Sequence, residues 1–64
     1  MGRIRYNDAD YEGDISFGVP HGYGKIWYTN GDYYEGGFSE GMFHGEGVFY
    51  HANGEIRKGI WENL

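Results

Sequence analysis

No cysteine occurs among the 64 residues, so neither a disulfide nor a thiolate zinc site can brace a chain this short. The missing cysteine fits a reducing compartment, and a cytoplasmic location is the expectation. Basic side chains are scarce as well: five Lys and Arg stand against ten Asp and Glu, for a net charge of −5. That balance opposes bulk attraction to a phosphate backbone or to anionic lipid heads. Direct nucleic-acid binding is therefore not expected, and membrane lipid is a disfavoured partner. No apolar run approaches the roughly 20 residues that a membrane-spanning helix needs. The opening Met1-Gly2-Arg3-Ile4-Arg5 also lacks the apolar core of a signal peptide, so no secretory leader is expected. Nowhere do apolar residues recur at helical spacing.

Glycine and aromatic residues are abundant instead, with 13 Gly, 7 Tyr, 4 Phe and 2 Trp. Disordered chains are poor in aromatics, and these glycines lack the three-residue period of collagen. Their period is longer. Tyr34-Glu35-Gly36-Gly37-Phe38 restates Tyr11-Glu12-Gly13-Asp14-Ile15, and His44-Gly45-Glu46-Gly47 restates His21-Gly22-Tyr23-Gly24. Asn53-Gly54-Glu55 restates Asn30-Gly31-Asp32, and in every pair the copies lie 23 residues apart. A third copy opens at Arg57-Lys58-Gly59-Ile60-Trp61. A fixed period of this size marks a repeat architecture. The expected organisation is one domain: a partial N-terminal repeat strand at 1–10, repeats at 11–33 and 34–56, and a partial repeat at 57–64.

Alternating segments bounded by turn residues predict about six strands in an antiparallel β-meander, a single-layer all-β fold of stacked hairpins. Strands are expected over Arg3 to Tyr6, Asp10 to Ser16, Tyr23 to Tyr28, Asp32 to Phe38, Glu46 to His51, and Glu55 to Trp61. Ser16 to Gly22, punctuated by Pro20, reads as a longer connection, and Ser39 to Gly45 repeats it. Thr29-Asn30-Gly31 reads as a three-residue hairpin loop with Gly31 left-handed. That choice sets Ile26 opposite Tyr34, Gly24 opposite Gly36 and Lys25 opposite Glu35. In the next hairpin it sets Phe49 opposite Arg57, Gly47 opposite Gly59 and Tyr50 opposite Ile56.

Strand side chains alternate between two faces. On the first face fall Tyr11, Ile26, Tyr34, Phe38, Phe49 and Trp61, beside Gly13, Gly24, Gly36, Gly47 and Gly59. Mid-strand glycine is kept where something large must approach the backbone, so rings are expected to lie over the glycine rows. The second face carries Glu12, Lys25, Glu35 and Lys58 in a line, flanked by Trp27, Tyr33, Val48, Tyr50, Ile56 and Ile60.

These spaced glycines and aromatics, from Tyr11-Glu12-Gly13 through His44-Gly45-Glu46-Gly47, resemble the MORN repeat (membrane occupation and recognition nexus). The resemblance spans nearly the whole chain, with departures at Ile15 where Trp or Phe is usual, Arg57 in place of Tyr, and Leu64 in place of a loop Gly. It implies one hairpin per repeat, an elongated single sheet with a groove, and a non-catalytic role in scaffolding, oligomerisation or partner binding.

Catalytic readings are weak on the residues themselves. His21 and His44 occupy equivalent repeat positions about 9–10 Å apart, too far to share a metal without large swings. Glu12, Asp14, Glu35 and Glu46 could pair as acids, but a flat layer lacks the closed pocket that tunes such groups. Ser16 and Ser39 have no base at a matching step. Gly22-Tyr23-Gly24 and Gly45-Glu46-Gly47 precede no helix that could help hold a phosphate. No enzyme activity, metal or cofactor is expected. The expected function is protein binding or self-association, as a homo-oligomer, through Tyr11, Ile26, Tyr34, Phe38, Phe49 and Trp61, with Trp27 and Tyr50 as a second patch. The alternatives are a phospholipid-associating adaptor, and a small acidic inhibitor using Asp8, Asp10, Glu12 and Asp14 as phosphate stand-ins on a nucleic-acid-binding protein.

Overall fold

The computed structural model describes residues 2–62, so the departure at Leu64 lies outside the described residues. Six strands form one open sheet in sequence order: β1 (Gly2–Arg5), β2 (Ala9–Ser16), β3 (Val19–Tyr28), β4 (Tyr33–Ser39), β5 (Met42–Tyr50) and β6 (Ile56–Glu62). Every neighbouring pair is antiparallel. The result is a slab of 33 × 25 × 17 Å.

The two Asn-Gly hairpins close as three-residue loops. Tyr28 N–H donates to Asp32 O at 2.9 Å, and His51 N–H donates to Glu55 O at 2.8 Å. Gly31 and Gly54 take the left-handed position, at φ +100° and +95°. Asn30 and Asn53 each accept a hydrogen bond from the backbone N–H two residues on, the side-chain turn that favours asparagine there. The pairing follows: Ile26 meets Tyr34, Lys25 meets Glu35, Gly47 meets Gly59 and Tyr50 meets Ile56.

The other two connections differ from the sequence reading. Strands β3 and β5 begin at Val19 and Met42, four residues earlier than expected, and the long connections shrink to the two-residue turns Phe17-Gly18 and Glu40-Gly41. Both central residues have positive φ in each turn, +51° and +79° in the first, +52° and +84° in the second. This is the type I′ geometry that matches strand twist, and its usual Asn-Gly or Asp-Gly signal is absent. Pro20 is tolerated inside a strand because β3 pairs with β4 only from Gly22 onward. Its missing N–H therefore costs no ladder bond. Its carbonyl accepts the Gly41 N–H at 2.9 Å.

Irregularities between Gly13 and Ile15, and between Gly36 and Phe38, shift the pairing by two residues. An even shift leaves side chains on their original face. Ile15 and Phe38 thus stay with Tyr11 and Tyr34. The core lies on that first face and consists of Ala9, Tyr11, Ile26, Tyr34 and Phe38, with Phe43, Phe49 and Trp61 packed against it.

Candidate functional site

Tyr11 and Tyr34 are fully buried in a sheet that has only one layer. Glycine makes this possible. A Cβ added to Gly24 would sit 2.6 Å from Tyr11 Cε1, and one added to Gly47 would sit 2.6 Å from Tyr34 Cε1. Each ring therefore occupies the space a side chain would fill and lies down on the backbone of the next strand. Each hydroxyl then reaches a carbonyl: Tyr11 donates to Asp14 O at 2.6 Å and Tyr34 to Gly37 O at 2.9 Å. Burial, with lesser help from the Asp14 carboxylate and Tyr6, pushes the Tyr11 phenol up to about 12. Burial also raises Tyr34, with Tyr23 adding to it, and raises Tyr28, with Asp8 and Asp32 adding to it.

Phe38 stands edge-on between the two tyrosines, its centroid 4.9 Å from Tyr11 and 5.2 Å from Tyr34. Phe43 stacks on Tyr34 at 3.9 Å. Trp61 meets Tyr34 edge-on at 5.9 Å, and its indole N–H donates to Gly47 O at 3.1 Å. Sequence reasoning missed Phe43, which it had placed in a connection. Extending β5 back to Met42 restores the alternation that puts Phe43 on this face.

Four of the residues expected to bind a partner are thus the interior of this chain. Tyr11, Ile26, Tyr34 and Phe38 are buried and cannot be touched from outside the folded sheet. Their burial has a simple cause: over bare glycine backbone the rings lie flat and interlock instead of standing up. Phe49 and Trp61 remain half-buried at the C-terminal end of the same face. There Arg57 takes the position of Tyr11 and Tyr34, its guanidinium turns to Glu55 at 3.1 Å, and among the described residues no atom lies within 4 Å of a Cβ built on Gly59. Phe43, Phe49, His51, Arg57 and Trp61 consequently line a shallow, mostly apolar hollow.

The second face is open along its length. Trp27 is 40 % exposed, Tyr23 59 %, Ile56 57 % and Ile60 69 %. Tyr50 stacks on Tyr33 at 4.3 Å beside Trp27. Between Trp27 and Tyr23 runs the charged row, where Lys25 pairs with Glu35 at 3.7 Å and lies 5.8 Å from the Trp27 ring centroid. The sequence places Tyr23 at a strand start, and its shared alternation with Lys25 and Trp27 is the signal that puts it on this face.

The acidic row of β2 is engaged within the fold. Asp10 pairs with Arg5 at 3.9 Å, Glu12 with Arg3 at 3.6 Å, and Asp14 accepts the Tyr23 N–H at 3.1 Å. His21 sits at a turn and accepts the Glu40 N–H at 3.3 Å through Nδ1.

A search of curated protein sequences finds no match to this chain. A family model does match: that of the MORN repeat, twice in succession, at residues 11–33 and 34–56, which is well over half of the sequence. The matched segments each hold one tyrosine laid over glycine backbone and one Asn-Gly hairpin, and the chain belongs to the MORN repeat family.

Proposed function

We propose that this chain, in a family whose repeats are generally non-catalytic modules for interaction with proteins or membranes, is a protein-binding module whose contact surface is the second face together with the C-terminal end of the first. One observation carries this reading. The sheet uses its first face as its own core, and the second face leaves Tyr23, Trp27, Ile56 and Ile60 exposed, with no further layer over them among the described residues. An antiparallel sheet can show one face to water, but that face is ordinarily polar. Large rings and branched side chains held there are the kind of surface that anchors a protein partner.

On this reading Trp27 and Tyr50 contact the partner directly, and Phe49 and Trp61 offer a second contact around the end hollow. Tyr11, Ile26, Tyr34 and Phe38 hold the sheet in shape beneath them. Anionic lipid is a poorer occupant. Of the five basic side chains, Arg3, Arg5, Lys25 and Arg57 already lie within 4.0 Å of a carboxylate. The phosphate-mimic reading weakens for the matching reason, since Asp10, Glu12 and Asp14 are engaged by the chain itself.

The test compares proteins captured on the immobilised wild-type chain with those captured on Trp27→Ala and Tyr23→Ala, with Phe17→Ser as the control. Near-UV circular dichroism verifies the fold of each. Partners retained by wild type and control but lost from both second-face variants support the proposal. Identical captures from all four proteins overturn it.

A further inference from the structure

We infer, resting on the second face being the contact surface, that its centre takes an arginine side chain of the partner, seated against the Tyr23 ring between Glu35 and Glu46. Tyr23 pairs with Gly37 across β3 and β4, and Glu46 follows on β5, where Gly36 pairs with Gly47. Tyr23 and Glu46 thus stand two strands apart, about 9–10 Å, with only Gly37 between them. That gap is built in: a Cβ on Gly37 would run into the His44 carbonyl, so no side chain can stand there. What results is an open hollow of about 390 Å³, floored by the backbone of Gly36 and Gly47 and walled by Tyr23, Glu35, Glu46 and Val48. Those walls rise from β3, β4 and β5, which are interior strands of the sheet.

Charge and ring chemistry select the occupant. Glu46 is exposed and, among the described residues, has no basic group within 4.0 Å. Glu35 pairs with Lys25 at 3.7 Å, but both side chains are more than a third exposed, and such a surface pair contributes little. Its carboxylate keeps lone pairs for a second donor. Asp14, on the other side of Tyr23, accepts the Tyr23 N–H through one oxygen and retains its charge. The same strand shows how an exposed ring is used, since Lys25 Nζ lies 5.8 Å from the Trp27 centroid. Turned that way, Lys25 leaves Tyr23 without a cation among the described residues. Lys58 is the opposing charge at this hollow, but it stands opposite Val48, while Ile60 stands opposite Glu46. Three carboxylates (Asp14, Glu35 and Glu46) therefore stand against two ammonium groups, and the surplus around Tyr23 is negative.

A guanidinium fits this arrangement better than an ammonium. It is planar and weakly hydrated, so it stacks on an aromatic ring while its edge offers paired N–H donors to a carboxylate. Lying against Tyr23, it would point those donors at Glu46 and Glu35. An ammonium is a compact, strongly hydrated point charge and gains less from the ring. An acidic or purely apolar segment would leave Glu46 covered and uncompensated.

Titration of hexa-arginine and of hexa-lysine into the purified chain, in about 0.15 M salt and followed by amide chemical shifts, tests this with no captured protein involved. Hexa-arginine should bind at least about threefold more tightly than hexa-lysine, with shifts centred on Tyr23, Gly36 and Gly47. Glu46→Gln and Tyr23→Leu should each weaken it at least about threefold, with near-UV circular dichroism unchanged. Glu40→Gln removes the same charge from another exposed carboxylate, one outside the hollow, and should alter binding by less than about 1.5-fold. Equal binding of the two peptides, equal losses from Glu46→Gln and Glu40→Gln, or no binding up to about 1 mM overturns the inference. Partner capture that still depends on Trp27 and Tyr23 would then leave the protein-binding reading standing, so each can fail without the other.

Discussion

Replacing Gly47 by alanine and replacing Gly59 by alanine should have effects of opposite sign. The two residues face each other across the β5–β6 ladder, Gly47 on an interior strand that also pairs with Gly36 and Gly59 on the outermost described strand. What lies above them differs. An alanine Cβ at 47 would sit 2.6 Å from Tyr34 Cε1, well inside ordinary contact, while one at 59 has no atom within 4 Å. The Tyr34 ring cannot slide away cheaply: it is stacked on Phe43 at 3.9 Å, edge-packed by Phe38 at 5.2 Å, and tied by its hydroxyl to Gly37 O at 2.9 Å. Forcing it aside costs about 1–3 kcal/mol of overpacking, and losing the buried hydrogen bond costs about 1 kcal/mol more. Gly47→Ala should therefore destabilise by about 2–4 kcal/mol, a large share of what a domain this small has. Gly59→Ala should gain about 0.4–1 kcal/mol, because alanine restricts the unfolded chain and fits the extended site without strain. Urea unfolding followed by tryptophan fluorescence reads both changes, at constant slope. Equal effects, within about 0.5 kcal/mol, would refute the account of rings seated on bare backbone.

Further expectations concern the same faces. Tyr11, Tyr28 and Tyr34 ionise less readily folded than unfolded, so the native state holds protons that the unfolded chain releases. Stability should then be fully present below pH 10 and be lost as pH rises toward about 12, the value for Tyr11. Urea midpoints between pH 9 and 12, with tyrosinate absorbance alongside, check the sign: a midpoint that rises above pH 10 contradicts it. Phe38→Ala removes the ring wedged between both tyrosines and should cost about 3–5 kcal/mol, abolishing the cooperative transition. Trp27→Ala, on the open face, should cost under about 1 kcal/mol and act on binding alone. Phe17 is fully exposed at φ +51° in its turn. Phe17→Asn should stabilise by about 1 kcal/mol, since asparagine tolerates that conformation and phenylalanine does not; an unchanged melting temperature would count against this.

Much of the fold was legible because two kinds of signal were repeated. Asn30-Gly31 and Asn53-Gly54 named their loops, and with the loop length settled the cross-strand partners followed, down to Lys25 opposite Glu35. The glycine rows announced that rings would lie on them. The Phe17-Gly18 and Glu40-Gly41 turns were illegible for a physical reason. Their first residues adopt a left-handed conformation that their side chains do not favour, so local preference gave no sign and tertiary pairing decided. Missing those turns hid the first part of β3 and β5, and with them Pro20 and Phe43. Burial was the other gap. Alternation assigns a residue to a face, but whether that face becomes core or contact surface depends on how its side chains close over it.

That distinction decides where binding can occur. A single-layer sheet must bury apolar surface somewhere, and a flat face of upright rings would need a second layer to do so. Here the glycine rows let Tyr11 and Tyr34 fold into the plane, and Phe38 locks each to the next repeat. The first face is thereby satisfied from within one chain, with two repeats supplying what a second layer would. Consequently a residue is available to a partner in inverse measure to how well the repeat is completed around it. Tyr11 and Tyr34 are complete and sealed. The third position holds Arg57, no ring among the described residues covers Gly59, and Phe49 and Trp61 stay half-open beside it. Introducing Arg57→Tyr should extend the pattern: the new ring should lie toward Trp61, shield Phe49, and raise stability by about 0.5–1.5 kcal/mol through aromatic packing. It should also reduce any binding that depends on the end hollow while leaving capture through Trp27 untouched. Urea unfolding together with the capture assay separates the two effects, and a tyrosine that stabilises nothing would show that sealing needs a following glycine strand as well as the ring.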